Sequence, residues 1–207
     1  MSNWYLLPGM GASSAMYGAL KRHLSFPVNF LNWPLYAGEK TYADLAARII
    51  REHGIKDGDV VGGSSLGGMV SLEMMKQISP RAVILLGSAM HPAEVQKLLT
   101  MLTPLAEVTP LSMLKTIVGK FSPLVNVVFS KLDTDFVRAM SLYLPDWPGY
   151  SGPRENIYRI HGRRDHIIPC PASGSEVIED AGHLLVITHA KECAEFLEKV
   201  KSRIEAA

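Results

Sequence analysis

The sequence predicts an α/β protein with a doubly wound, mainly parallel six-stranded sheet. Short apolar runs alternate along the chain with longer stretches of helical period, the pattern of a parallel sheet covered by helices on both faces. The run Ala82 to Leu86 is apolar throughout, as expected of a strand with no solvated face. At 207 residues and 47% hydrophobic content, one such domain can bury a substantial core.

Each element has its own signal. Trp4-Tyr5-Leu6-Leu7 reads as a strand that enters a loop at Pro8-Gly9. Val28 to Trp33, stopped by Pro34, reads as the second strand. Thr41 to His53 sets Leu45, Ala46, Ile49 and Ile50 on one helical face, with Gly54 placed to cap it. Asp59-Val60-Val61-Gly62 is a short third strand, followed by a helix from Leu66 to Ile78 with Pro80 just past its end. After the strand at 82–86, Asn156 to His161 and Glu176 to Glu179 are the last two. Ala190 to Ile204 closes the chain as an amphipathic helix, with Cys193, Phe196, Leu197 and Val200 at core spacing.

The stretch from His91 to Tyr150 breaks the rhythm. It has no clear strand and is punctuated by Pro92, Pro104, Pro110, Pro123, Pro145 and Pro148, yet it is too apolar for a loop. The expected division is therefore a core of residues 1–90 and 151–207, with a helical insertion at 91–150 between two strands.

Composition narrows the function. A net charge of +1, from 21 Lys+Arg against 20 Asp+Glu, supplies no concentrated basic field for nucleic acid. No apolar run approaches the ~20 residues that span a bilayer. The N-terminus lacks the basic stretch of a secretion signal, and Cys170 and Cys193 suggest no disulfide framework, so a reducing cytoplasm is the expected location. No His/Cys/Asp cluster has ligand spacing, and neither a metal nor a cofactor is expected.

The chemistry concentrates at Gly63-Ser64-Ser65-Leu66-Gly67, which fits G-x-S-x-G between a strand and a helix. Ser65 then occupies a sharp, strained turn, and side chains at Gly63 and Gly67 would collide across it. The helix that follows aims its N-terminus at the serine, so the Leu66 N–H can donate to a developing oxyanion. A serine hydroxyl needs a base. Of seven histidines, His183 in Asp180-Ala-Gly-His-Leu-Leu stands just beyond the last strand, beside a glycine that lets the loop bend back. His161 reads as a packed strand-end residue; His23, His53 and His189 fall on helical or surface positions. Asp165, in the loop that leaves strand 156–161, lies at the carboxyl edge of the sheet, where open parallel sheets build their sites. Asp180 competes but is too close to His183 along the chain to reach round to its ring.

With the order Ser65, Asp165, His183, the chain resembles the α/β-hydrolase superfamily along nearly its whole length. The resemblance implies a nucleophile, an acid and a base at those positions. It implies an oxyanion loop at Leu6-Leu7-Pro8-Gly9-Met10-Gly11, where Pro8-Gly9 replaces the family's His-Gly and the Met10 N–H would donate alongside that of Leu66. Two departures are expected. The family's leading hairpin has no room before Trp4, and the last crossover is too short for its usual helix. A trimmed sheet of order 4-3-5-6-7-8 in the family's counting follows, with the insertion as a cap.

The implied activity is hydrolysis of a small or acyl ester or thioester by Ser65, His183 and Asp165. Gly9, Gly11, Met90 and His91 are candidates for the substrate pocket. Met90, Met101, Met113 and Met140 would suit an adaptable apolar pocket, although each serves equally as core for the insertion. Arg163 and Arg164, beside the acid loop, read as solvated surface arginines. Two other classes fit less well. A non-catalytic binding protein could keep this scaffold. A dinucleotide-binding oxidoreductase would use Gly9-Met-Gly-Ala-Ser-Ser14, but Ser14 replaces the third glycine and no acidic residue follows at the required distance.

Overall fold

The computed structural model describes residues 2–95, 128 and 133–206. In chain order these form β1 (Trp4–Leu7), α1 (Gly18–Lys21), β2 (Asn29–Phe30), α2 (Tyr42–His53), β3 (Val60–Ser64), α3 (Leu66–Met74), β4 (Ala82–Leu86), α4 (Thr134–Tyr143), β5 (Ile157–Gly162), β6 (Glu176–Ile178), α5 (Leu185–Thr188) and α6 (Ala190–Ala206). The strands make one six-stranded sheet in the order β2-β1-β3-β4-β5-β6, and every pairing is parallel. This is the expected trimmed order. Residues 163–175, the last crossover, run as turns and bends with no helix.

Alternation along the strands divides the core in two. Leu7, Val61, Val83 and Leu85 face one side, against Tyr42, Leu45 and Ile49 of α2 and Met69, Val70 and Leu72 of α3. Leu6, Val60, Ala82, Ile84 and Leu86 face the other, against Leu20 of α1 and Cys193, Phe196, Leu197 and Val200 of α6. The helix over residues 42–53 ends as its sequence dictates. Thr41 and Asp44 form a reciprocal capping box, and Gly54 takes the left-handed conformation at φ 62°.

Several boundaries differ from the sequence expectation for local reasons. The second strand shortens because it lies at the sheet edge and the chain soon turns away. The Asn32 side chain accepts from the Ser14 N–H, and the Trp33 indole donates to the Gly9 carbonyl. Asp59 is not part of β3; its buried carboxylate accepts the N–H groups of Asn3 and Lys56 and fixes the turn before the strand. The helix from Leu66 stops at Met74, where its carbonyl accepts from both Gln77 and Ile78.

Most of the expected insertion, residues 96–127 and 129–132, lies outside the described residues. Its last part, α4, is tied firmly to the sheet domain. Tyr42 Oη donates to the Met140 carbonyl, and the Asp133 carboxylate caps α4 while accepting the Tyr36 N–H. Behind α4, Trp147 Nε1 donates to Glu73 at 2.7 Å, and Lys76 Nζ bridges Glu73 and the Gly149 carbonyl. Glu73 is almost wholly buried on α3, so its removal strands an indole N–H without an acceptor. Glu73→Ala is expected to cost about 2–4 kcal/mol, read from the urea midpoint, and Glu73→Gln distinctly less because its amide oxygen still accepts. Among the described residues no helix is long and apolar enough to cross a membrane.

Candidate active site

β3 and α3 meet at Ser65, with φ 52° and ψ −118°, the one non-glycine residue with positive φ among the described residues. Such a conformation persists only where its surroundings enforce it. Here they do so by close packing. A Cβ on Gly63 would lie 2.4 Å from the Leu7 carbonyl oxygen and 2.7 Å from the Gly67 carbonyl carbon, and one on Gly67 would meet Leu7 and Pro8. The glycines therefore make room for the β1 loop as well as for each other. On the far side, Ser88 Oγ donates to the Ser65 carbonyl at 2.7 Å, in space that a side chain on Gly68 would fill. The Ser65 N–H itself donates to the Leu86 carbonyl.

The three residues expected to act together are in contact. The Ser65 hydroxyl lies 3.0 Å from His183 Nε2, and His183 Nδ1 lies 2.8 Å from Asp165 Oδ2. Asp165 Oδ1 accepts the N–H groups of Ile167 and Ile168 at 2.8 and 2.9 Å. Burial opposes ionisation of this carboxyl. Hydrogen bonds from His161 and His183, the charge on His183 and the Ile168 N–H outweigh it and hold the pKa well below the usual carboxylate range. Asp180 pairs with His189 instead, and Arg163 with Glu179 at the surface. The bend that returns His183 does not come from Gly182, where a Cβ would make ordinary contact. Gly162 clears its path, since a Cβ there would lie 2.4 Å from the Ala181 carbonyl oxygen.

The loop after β1 lies against the serine: a Cβ on Gly9 would sit 3.8 Å from Ser65 Cβ. The Gly9 N–H donates to Met16 Sδ, and its carbonyl accepts from Trp33 Nε1 and the Ala12 N–H. Gly11 turns the loop at φ 68°. Among the described residues, neither the Met10 nor the Leu66 N–H has an acceptor. The Ser13 and Ser14 N–H groups are engaged by the Val128 carbonyl and the Asn32 side chain, so these two amides are not free for a pyrophosphate. Met90 is buried in the core, its carbonyl accepting from Tyr150, and His91 packs on Gly149; neither is hydrogen-bonded to Ser65 or His183.

Sequence reasoning passes over two residues at this centre. His161 is packed as expected, with no exposed surface, but its Nε2 is 2.7 Å from the Ile168 carbonyl and 3.3 Å from Asp165 Oδ2. A carbonyl only accepts, so Nε2 carries a proton shared with the carboxylate. Its four-residue separation from Asp165 across a turn was the available signal. Tyr17 Oη donates to the Leu7 carbonyl and accepts the Ser64 N–H at 3.0 Å, joining the ends of β1 and β3 beside the serine. Burial pushes its phenol far above the ordinary range.

The same chain segments carry a family signature. The model of the alpha/beta hydrolase family matches residues 5–196. The chain belongs to that family. Solved structures agree on the fold. An esterase from Thermogutta terrifontis superposes with a TM-score of 0.75 at 17% identity, covering 99% of this chain and 90% of that one. A carboxylesterase from Nitrososphaera gargenis gives 0.76 at 17% identity, covering 99% and 92%. The N-acyl homoserine lactonase AidH gives 0.72 at 16% identity, covering 99% and 90%. No curated protein matches the chain. Family membership supports a hydrolase.

Proposed function

We propose that this family member is a serine hydrolase that cleaves a carboxylic ester or thioester of a small or acyl substrate through an acyl-enzyme. The observation that carries the reading is the unbroken line Ser65 Oγ, His183 ring, Asp165 carboxylate, ending at a serine held in a strained turn. His183 Nε2 takes the hydroxyl proton as Oγ attacks the carbonyl carbon, and Asp165 stabilises the imidazolium. The Met10 and Leu66 N–H groups receive the oxyanion. His183 then returns the proton to the departing alcohol or thiol, and water repeats the sequence to release the acid.

The neighbouring structures named as esterase, carboxylesterase and lactonase all break an acyl carbon–oxygen bond, which favours an ester substrate. We further propose that residues 91–150 form a cap on a core of 1–90 and 151–207. In support, Ser141 Oγ of α4 approaches Met10 Sδ at 3.2 Å, and Phe136 packs on Trp33 with ring centroids 5.1 Å apart.

The test is a fluorophosphonate probe, which reacts only with an activated serine, followed by p-nitrophenyl esters and acyl thioesters of increasing chain length. Adduct mass on the Ser65 peptide, together with turnover of at least one ester, is the expected result. An unlabelled protein would mean a binding function on a hydrolase scaffold.

A further inference from the structure

We propose that Trp33 is a positioning residue for the oxyanion hole, acting through one peptide group. The inference rests on the hydrolase reading above and adds to it a residue that lies outside both the triad and the oxyanion loop. Trp33 Nε1 donates to the Gly9 carbonyl at 2.9 Å from a loop that follows the edge strand β2. No peptide bond among the described residues is cis, so the Gly9 carbonyl and the Met10 N–H point in opposite directions from one rigid plane. Holding the oxygen on Trp33 therefore aims the Met10 N–H away from the indole. The loop that carries it touches Ser65 at Gly9.

This peptide needs holding. Gly9 permits wide rotation on its side of the plane, and a flipped peptide would turn a carbonyl oxygen toward the developing oxyanion. The Ala12 N–H also bonds the Gly9 carbonyl, at 3.1 Å, but it belongs to the same turn and moves with it. Trp33 is the anchor from outside. Its ring is fixed in turn against Phe136 of α4, which ties the orientation of the Met10 amide to the seating of that helix.

The effect falls on transition-state binding and spares the ground state. Trp33→Phe keeps a ring against Phe136 and removes the donor. Its kcat on a p-nitrophenyl ester should fall roughly 10- to 30-fold, part of the 10²–10³ that loss of a whole oxyanion donor costs. KM should change by less than about twofold, and the pH profile should superpose on that of the parent. A trifluoromethyl ketone, which adds Ser65 to give a hemiketal oxyanion, should lose affinity by the same factor as kcat. Phe136→Leu, which keeps the indole N–H but loosens the ring that fixes it, should lower kcat in the same direction and by less than Trp33→Phe does. If Trp33→Phe is poorly folded by thermal melting, β-(3-benzothienyl)alanine at position 33 keeps the shape of the ring without the N–H and is measured instead. Unchanged kcat and ketone affinity in the donor-free protein would overturn the proposal, as would equal losses in kcat and ground-state binding. If the parent protein itself is not labelled at Ser65 by a fluorophosphonate, the hydrolase reading falls and this one with it. A labelled parent and an unaffected Trp33→Phe variant would defeat this proposal alone.

Discussion

Ser65→Ala is expected to lower kcat by roughly 10⁶-fold, and His183→Ala to do nearly the same, while the double variant loses little more than either alone. The non-additivity follows from the geometry. In the proposed mechanism His183 has one role toward Ser65, to take its proton across the 3.0 Å contact, and a base without its nucleophile contributes nothing. A residual rate of about 10³-fold over water should survive, because the proposed oxyanion donors, the Met10 and Leu66 N–H groups, and the binding surface remain. Multiplying losses in the double variant would mean two independent contributions and would defeat the triad. So would a Ser65→Ala protein within about tenfold of the parent rate. The strained backbone supplies a second reading of the same site. Alanine dislikes φ 52° as much as serine does, but glycine does not, so Ser65→Gly should be inactive and more stable by roughly 1 kcal/mol in urea.

The features legible beforehand share a physical origin: each is written in a few adjacent residues. The strand at 82–86 is an uninterrupted apolar run because both faces are covered, and its boundaries needed no tertiary information. The capping box at Thr41 and Asp44, and Gly54 beyond the helix, are local chemistry. Ser65 announces itself because only small residues survive where the β1 loop crosses the elbow, and the chain there reads Gly63 and Gly67. His183 and Asp165 followed from where strands end, since an open parallel sheet gathers its loops along one edge.

What was not legible depends on partners far apart in the chain. Tyr17 reads as an ordinary core aromatic, and nothing near it says that its hydroxyl spans Leu7 and Ser64. Trp33 reads as the end of an apolar strand; its indole instead leaves the sheet to hold Gly9, 24 residues away. His161 reads as a packed strand residue and is one, but its contact with Asp165 requires the turn at 163–167 to close back on the strand. Gly182 misled in the opposite sense. It reads as the hinge for His183, whereas the clearance is provided across the loop by Gly162, which from the sequence is only the end of a strand.

Asp165→Asn should cost roughly 10⁴-fold in kcat, and the hydrogen-bond inventory around the carboxylate explains why so small a change is so damaging. Four N–H groups converge on it: Ile167 and Ile168 on Oδ1, His183 and His161 on Oδ2. A carboxylate accepts on both sides, whereas an amide has one oxygen. If that oxygen keeps the two main-chain N–H groups, the amide NH₂ faces His183 and drives its proton to Nε2. The ring then donates to Ser65 and can no longer accept from it. If the oxygen turns to His183, the NH₂ collides with two main-chain donors that have nowhere else to bond. Either arrangement also destabilises the fold, and that part carries a pH signature. The Asp165 pKa is depressed in the folded protein, so its ionisation contributes stability that is complete above the ordinary value of about 3.9 and is lost as pH falls toward the lower folded value. The gap in urea midpoint between the parent and Asp165→Asn should therefore be constant from neutrality to about pH 5 and narrow below about pH 4. A gap that stays constant to about pH 3 would show that the charge on Asp165 does not stabilise the fold. Turnover lost at pH 7 in a variant that remains folded would then rest on the tautomer of His183 alone.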